Sequence, residues 1–328
     1  MSSLTYPGAD PAFEAAVRDR LDAIEAALQA AAAADTEFVT AAAQHLLEAG
    51  GKRLRPLLVV LGSLLVDKPN VERVDRAAVV VELTHVASLY HDDVMDSADM
   101  RRGVPSANHE WGNTVAILVG DYLFSKASTT VATLGTDFVL LQAETFARLV
   151  QGQIAETRGP ADTEDALAHY LAVVADKTGS LIAASAVFGG MVAGASADIL
   201  SALDAFGEEL GIVFQLSDDV IDIASDESGK TPGTDLREGV PTLPTLMLAA
   251  STEPADARLR ELVSRPLQTE PEVEEALRGL REHRVLADAR AEIRRRGALA
   301  QQHLAPLPEG PAKRALVALC DTLVQRTA

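Results

Sequence analysis

Twice in its 328 residues the chain closes a long apolar stretch with Asp-Asp-x-x-Asp, first at Asp92, Asp93 and Asp96 and again at Asp218, Asp219 and Asp222. The stretches before them, 79–90 and 210–216, read as buried. On a helix, positions i and i+4 project from one face, so Asp92 pairs with Asp96 and Asp218 with Asp222, each pair aimed in one direction. Like charges at that spacing repel, and a helix serving structure alone gains nothing from them. Carboxylates beside buried surface need metal or cationic partners, so the fold must supply long helices and something positive at the end of each.

Helical periodicity runs through the chain. Phe13, Val17, Leu21, Ile24 and Leu28 recur at spacings of three and four, which marks a packing helix within an N-terminal segment, 1–35. Further helices are predicted over 38–48, 56–66, 71–96, 114–134, 137–157, 163–175, 180–193 and 197–224, with no strand-like alternation of useful length. An Ala-rich chain with 48% hydrophobic but only 4% aromatic residues suits close-packed helices. Gly, Pro and Asn mark short connections at 50–51, 68–70, 103–105 and 159–160. Segment 254–328 reads as C-terminal amphipathic helices, with 304–311 breaking them from a last helix. No shift in composition divides the chain, so the expectation is one all-α domain over 1–328.

Charge narrows the partners. A net charge of −19 opposes nonspecific binding to nucleic acid and to anionic membranes. An acidic protein binds an anion through local cations or through metal ions held between its carboxylates and the ligand. The single cysteine, Cys320, permits no intramolecular disulfide. Residues 1–10 lack a basic stretch followed by an apolar core, and the apolar run 57–66 falls short of a membrane span. A soluble cytoplasmic protein is expected.

The cations are visible too. Gly50-Gly51-Lys52-Arg53-Leu54-Arg55-Pro56 sets three of them between a glycine pair and a proline suited to a helix start, a phosphate-binding corner. Arg101-Arg102-Gly103 follows the first acidic motif closely.

In order and spacing, GGKRLRP, HDDVMD with RRG, GDYLF, QGQ, KTGSL, FQLSDDVID, GKTPGTDLREG and TLP resemble the trans-prenyl diphosphate synthase family, the polyprenyl synthetases, from about residue 50 to 244. The resemblance implies a single large antiparallel helical bundle of the isoprenoid synthase type with a central cavity, a medium- or long-chain product and a homodimer. It implies head-to-tail addition of isopentenyl diphosphate to an allylic diphosphate, through ionisation assisted by Mg2+, three ions per site. Carried over by position, Asp92 and Asp96, with Asp218 and Asp222, are metal ligands, and Asp93 and Asp219 support them. Lys177, Thr178 and Gln215 are catalytic positions at the allylic diphosphate, where Arg101 and Lys230 also bind. Lys52, Arg55, His85 and Arg102 match positions that hold isopentenyl diphosphate. His85 also lies seven residues before Asp92, on nearly the same helix face. His91, Gly120-Asp121 and Gln151-Gly152-Gln153 read as packing. The chain departs from the pattern at Val240, where many members have Lys.

A class I terpene cyclase also uses an aspartate-rich motif, but with a different second metal motif and no second diphosphate. Noncatalytic subunits typically lack one or both aspartate motifs, and head-to-head coupling of the squalene synthase kind would depend on NADPH. Product length is expected to exceed geranylgeranyl. Ser88 and Ala87, four and five residues before the first Asp, and then Thr84 line the path of the growing chain, and short-product members carry Phe or Tyr near the first pair, although Phe146 on an opposite wall offers another floor. A long product also implies a transient membrane contact for its release.

Overall fold

The computed structural model describes residues 10–66, 69–224 and 232–327. Its helices are α1 (Pro11–Ala32), α2 (Glu37–Glu48), α3 (Leu54–Ser63), α4 (Val71–Met95), α5 (Ala107–Trp111), α6 (Asn113–Ala132), α7 (Thr136–Arg158), α8 (Ala166–Val174), α9 (Ser180–Val192) and α10 (Ala197–Ala224). They continue as α11 (Thr234–Glu238), α12 (Leu243–Ala249), α13 (Ala257–Val263), α14 (Glu270–Glu282), α15 (Arg284–His303) and α16 (Pro311–Gln325). The strands are β1 (Met100–Arg101) and β2 (Val104–Pro105), one antiparallel hairpin. The fold is all-α apart from that hairpin.

Local chemistry starts the helices. Asp10, Thr36, Asn70 and Asp165 each accept a backbone N–H from the first turn of α1, α2, α4 and α8. Two helices expected separately, 163–175 and 180–193, are one: α8 passes into α9 through a π turn, Ala175–Gly179. The joined helix, Ala166–Val192, has the length and hydropathy of a membrane span, yet 67% of its most apolar window is buried inside the protein, as in a core helix.

The described residues gather into two compact units, each assembled from separate stretches of chain. The first takes in 1–147, 181–207 and 304–319. Its central helix is α4, where Val79, Val80, Val81, Leu83, Val86 and Ala87 are all buried, so no side of this stretch faces solvent. Paired glycines let α3 and α9 touch at backbone distance: a Cβ on Gly189 would lie 2.2 Å from the Val59 carbonyl, and one on Gly62 2.6 Å from that of Ala186.

One cation ties three helices of this unit together. Arg53, in the left-handed region at φ 48° just before α3, bonds Glu25 of α1 through Nε and Nη2 at 2.7 Å and Glu82 of α4 through Nη1 at 2.9 Å. Its Nη2 also donates to the Leu47 carbonyl at 2.9 Å. Glu82 is 2% exposed, so its charge depends on that partner.

The second unit takes in 148–180, 208–303 and 320–328. Val273, Ala276 and Leu280 of α14 and Leu286, Ala289 and Ile293 of α15 form its apolar seam, and Arg281 Nε donates to the Ile223 carbonyl near the end of α10 at 2.7 Å.

Replacing Arg53 with Ala strands the buried Glu82 and is expected to lower unfolding free energy by about 3 kcal/mol in urea denaturation. A loss too small to resolve would show that the ion pair does not hold the corner.

Candidate active site

In the first unit the site grows from the end of α4 and the hairpin after it. The hairpin loop is Arg102-Gly103, at φ 55° and 80°, the positive pair that a two-residue loop requires. A non-glycine residue held there is strained, and its surroundings fix it: Arg102 Nη1 donates to the Leu46 carbonyl at 2.6 Å. The Arg102 guanidinium also lies against Gly51, where a Cβ would come within 3.2 Å of its Cζ. Arg101, on β1, turns back to the acidic motif and bonds Asp93 Oδ1 at 2.6 Å through both Nε and Nη2. Asp93 is fully buried, and its Oδ2 has no hydrogen-bond partner among the described residues. Burial pushes its carboxyl above the usual range, against the pull of Arg101.

The outer aspartates differ from it. Asp92 is half-buried and Asp96 exposed, one turn apart where α4 ends, with the Asp96 N–H donating to the Asp92 carbonyl at 2.8 Å.

The same unit carries the residues expected to bind isopentenyl diphosphate. Arg55 keeps its buried Nε without a partner among the described residues, and burial first, then Arg102, pushes its guanidinium down to about 10 against the pull of Glu82. His85 is held well below the ordinary imidazole range by burial and then by Arg55, Arg102, Arg53 and Arg101. Burial among four guanidiniums favours the neutral imidazole. Lys52 lies exposed just before α3.

Thr84, Ala87 and Ser88, the positions expected to line the path of the growing chain, are buried. Thr84 Oγ1 donates to the Val80 carbonyl at 2.8 Å and accepts from Gln142 Nε2 of α7 at 3.3 Å. Ser88 Oγ donates to the His85 carbonyl at 2.8 Å, and a Cβ on Gly120 of α6 would come 3.2 Å from the Ala87 carbonyl. That same Cβ would strike His91 Nε2 at 2.3 Å, which is why Gly120 stands there. Phe146, at the end of this unit's share of α7, pairs with Phe124 at 4.4 Å between ring centroids.

The second unit, taken by itself, gathers its own expected site residues at the end of α10. Asp219, 2% exposed, accepts Tyr170 Oη and the Leu243 N–H (3.0 Å) at Oδ2, and Gln215 Nε2 (3.2 Å) at Oδ1. Burial pushes its carboxyl up to about 6 despite these donors. The Thr-Leu-Pro motif thus acts locally, starting α12 and turning the Leu243 N–H of the first turn onto this carboxylate. Asp218 pairs with Arg326 at 2.7 Å, and Asp222 accepts the N–H groups of Thr234 and Asp235 at 3.2 and 3.3 Å. Val240, at the departure from the family pattern, is exposed, and Lys230 lies outside the described residues.

Lys177 and Thr178 sit in the π turn, which glycines press between helices. A Cβ on Gly152 of α7 would lie 2.8 Å from the Lys177 nitrogen, and one on Gly211 of α10 2.5 Å from Gly179 Cα. Gln-Gly-Gln is accordingly a packing motif. Lys177 Nζ bonds Glu156 at 2.5 Å, and Arg148 braces the turn through Asp176 at 2.8 Å and Glu208 at 3.2 Å.

Sequence reasoning misses Glu156, Tyr170 and Arg326. Tyr170 carries a usable signal, since it lies two helical turns before Lys177. Arg326, 108 residues from Asp218, carries none.

The donor set fits a hard divalent cation. Among the described residues no three His, Cys, Asp or Glu side chains are grouped to hold a metal, and the outer aspartates of each motif stand four residues apart on their helix. Mg2+ is commonly bound through one or two carboxylates with phosphate and water oxygens completing its shell.

The sequence profile of polyprenyl synthetase matches residues 36–280. The chain belongs to this family. Among curated relatives, a nonaprenyl diphosphate synthase of Mycobacterium tuberculosis is 47% identical over 319 residues, 97% of this chain and 95% of that protein. The geranylgeranyl pyrophosphate synthase of Corynebacterium glutamicum, solved with calcium and isoprenyl diphosphate, superposes with a TM-score of 0.88 at 42% identity, covering 99% of each chain. A decaprenyl diphosphate synthase of Rhodobacter capsulatus gives 0.87 at 31% identity, covering 95% of this chain and 98% of the other. The fold and the activity class follow: this polyprenyl synthetase is a trans-prenyltransferase with the all-α fold of its family.

Because its folded pKa is depressed, neutral His85 contributes stability above the ordinary imidazole pKa of 6.5 that is lost as pH falls below it, when the unfolded chain takes up a proton and the folded one does not. Between pH 7.5 and 5.5 the His85→Gln variant should lose about 1 kcal/mol less stability than wild type in thermal or urea unfolding. Equal losses would place His85 outside the arginine cluster's influence.

Proposed function

We propose that this polyprenyl synthetase lengthens an allylic diphosphate by repeated head-to-tail addition of isopentenyl diphosphate and releases an all-trans product longer than geranylgeranyl. The observation that carries this reading is the pair of acidic helix ends, each with its middle aspartate turned inward, alongside a separate cluster of Arg55, Arg102 and neutral His85. One diphosphate is then held through metal and the other directly by cations.

Asp92 and Asp96, with Asp218 and Asp222, hold Mg2+, three ions per site, against the allylic diphosphate. When bound, these ions neutralise the departing diphosphate and make ionisation of the allylic C–O bond feasible. The calcium complex of the Corynebacterium glutamicum relative supports a divalent ion. Arg101, Lys177, Gln215 and Lys230 orient the same diphosphate, which requires Lys177 to leave Glu156. The Thr178 hydroxyl and nearby carbonyl oxygens stabilise the allylic cation. Lys52, Arg55, His85 and Arg102 hold isopentenyl diphosphate, whose double bond attacks that cation. The proton is then lost to the released diphosphate.

The long product rests on Thr84, Ala87 and Ser88, which put no aromatic ring along that wall of α4, and on the nonaprenyl relative. A geranylgeranyl product is the second reading, favoured by the 42% identity to the Corynebacterium glutamicum enzyme. The chain works as one catalytic domain over 1–328, in the cytoplasm, with a transient membrane contact when a long product leaves. A homodimer is supported by Ile117 and Leu118 of α6 and Val139 and Leu140 of α7, aliphatic side chains left exposed in a single copy.

Purified protein given labelled isopentenyl diphosphate, an allylic primer and Mg2+ should make a product of more than four isoprene units, read by chromatography after dephosphorylation. Ala87→Phe should shift it to farnesyl or geranylgeranyl diphosphate while keeping first-addition kcat within about threefold of wild type. A wild type that stops at farnesyl diphosphate, or a Phe variant with unshortened product, contradicts the chain-length reading. Absence of any condensation contradicts the function.

A further inference from the structure

Tyr170 has no part in the chemistry above, yet it makes a contact that the chemistry depends on. Its ring is half-buried on α8, and its hydroxyl donates to Asp219 Oδ2. The same oxygen accepts the Leu243 N–H at 3.0 Å, while Oδ1 accepts Gln215 Nε2 at 3.2 Å. Three elements therefore meet on one carboxylate that is 2% exposed: α8 through Tyr170, α10 through Asp219 and Gln215, and the start of α12 through Leu243. With both oxygens taken by donors from inside the unit, Asp219 serves as an anchor. The residues it sets are its neighbours on α10, Asp218 one position before and Asp222 three positions after.

Tyr170 also stands seven residues before Lys177, about two turns along the helix that becomes the π turn. Gly152 and Gly211 fix that turn from the sides. At the other end of α8 His169 Nε2 meets the Ala155 carbonyl of α7 at 3.2 Å, and Tyr170–Asp219 adds a polar tie from α8 to α10 at that level.

We propose that Tyr170 is a positioning residue of the prenyl-transfer site: through Asp219 it sets the placement of the metal-binding carboxylates Asp218 and Asp222 relative to Lys177 and Thr178. The inference rests on the metal-assisted reading of the second motif. Removing the hydroxyl leaves a buried carboxylate short of a donor, and the helix turn that carries Asp218 and Asp222 is free to shift toward other partners.

The test is the Tyr170→Phe variant, which keeps the ring, assayed with Mn2+ and an unreactive thiolo analogue of an allylic diphosphate by calorimetry. The dissociation constant for Mn2+ in the ternary mixture should rise about tenfold, and half-saturation by Mg2+ in turnover should rise in parallel, while KM for isopentenyl diphosphate stays within about twofold. Because Tyr170 acts through Asp219, the Tyr170→Phe/Asp219→Asn double variant should bind Mn2+ within about twofold of Asp219→Asn alone. Unchanged Mn2+ affinity in Tyr170→Phe, additive losses in the double variant, or loss of the fold on removal of one hydroxyl would each overturn the proposal, the last by making Tyr170 a core residue. If wild type binds no Mn2+ with the analogue, the metal-assisted reading falls and this inference with it. If wild type binds Mn2+ and the variant matches it, the inference alone fails.

Discussion

Carboxylates at the C-terminal end of a helix are opposed twice, by each other and by the negative end of the helix dipole. Both acidic motifs of this polyprenyl synthetase occupy that position, Asp92–Asp96 in the last turn of α4 and Asp218–Asp222 near the end of α10. The chain resolves part of the conflict itself by turning the middle aspartate of each motif inward. Asp93 receives Arg101, and Asp219 receives Tyr170, Gln215 and the first turn of α12. The outer carboxylates stay on the last turns of their helices, and on the proposed reading a divalent cation and a diphosphate would complete their charge balance. Even Asp218 carries a cation in their place, the Arg326 guanidinium.

Glycine has a complementary part. Gly152 and Gly211 allow backbones to reach the π turn at distances that no Cβ permits, and Gly62 and Gly189 do the same for α3 and α9. Close backbone packing makes the supports stiff, and stiff supports let strained residues persist. Lys177 on its π turn is held in this way, while Arg102 in its left-handed conformation is held by the Leu46 carbonyl and lies against Gly51. Both side chains thus sit on irregular backbone.

The helices are legible in the sequence because their periodicity is strong, and the predicted span 197–224 coincides with α10. The acidic pairs are legible from spacing alone. The hairpin is not, since strands of two residues have no period to read, and Arg102-Gly103 looks like a simple basic turn. The Gly-Gly-Lys-Arg-Leu-Arg-Pro corner shows three cations without dividing their work, and the structure gives Arg53 to the buried ion pair with Glu25 and Glu82. Glu82 has no sequence signal within the apolar run of α4. Partners far apart in the chain, such as Arg326 with Asp218, become visible only in three dimensions.

The central claim is that the outer aspartates bind divalent ions together with a diphosphate. Counting bound Mn2+ by electron paramagnetic resonance, with and without an unreactive allylic diphosphate, tests it directly. Wild type is expected to bind Mn2+ weakly alone and about three ions per chain with the diphosphate, and Asp92→Ala and Asp218→Ala should each lower that count while keeping wild-type helical content. Tight binding without diphosphate, or an undiminished count in both variants, would contradict the account.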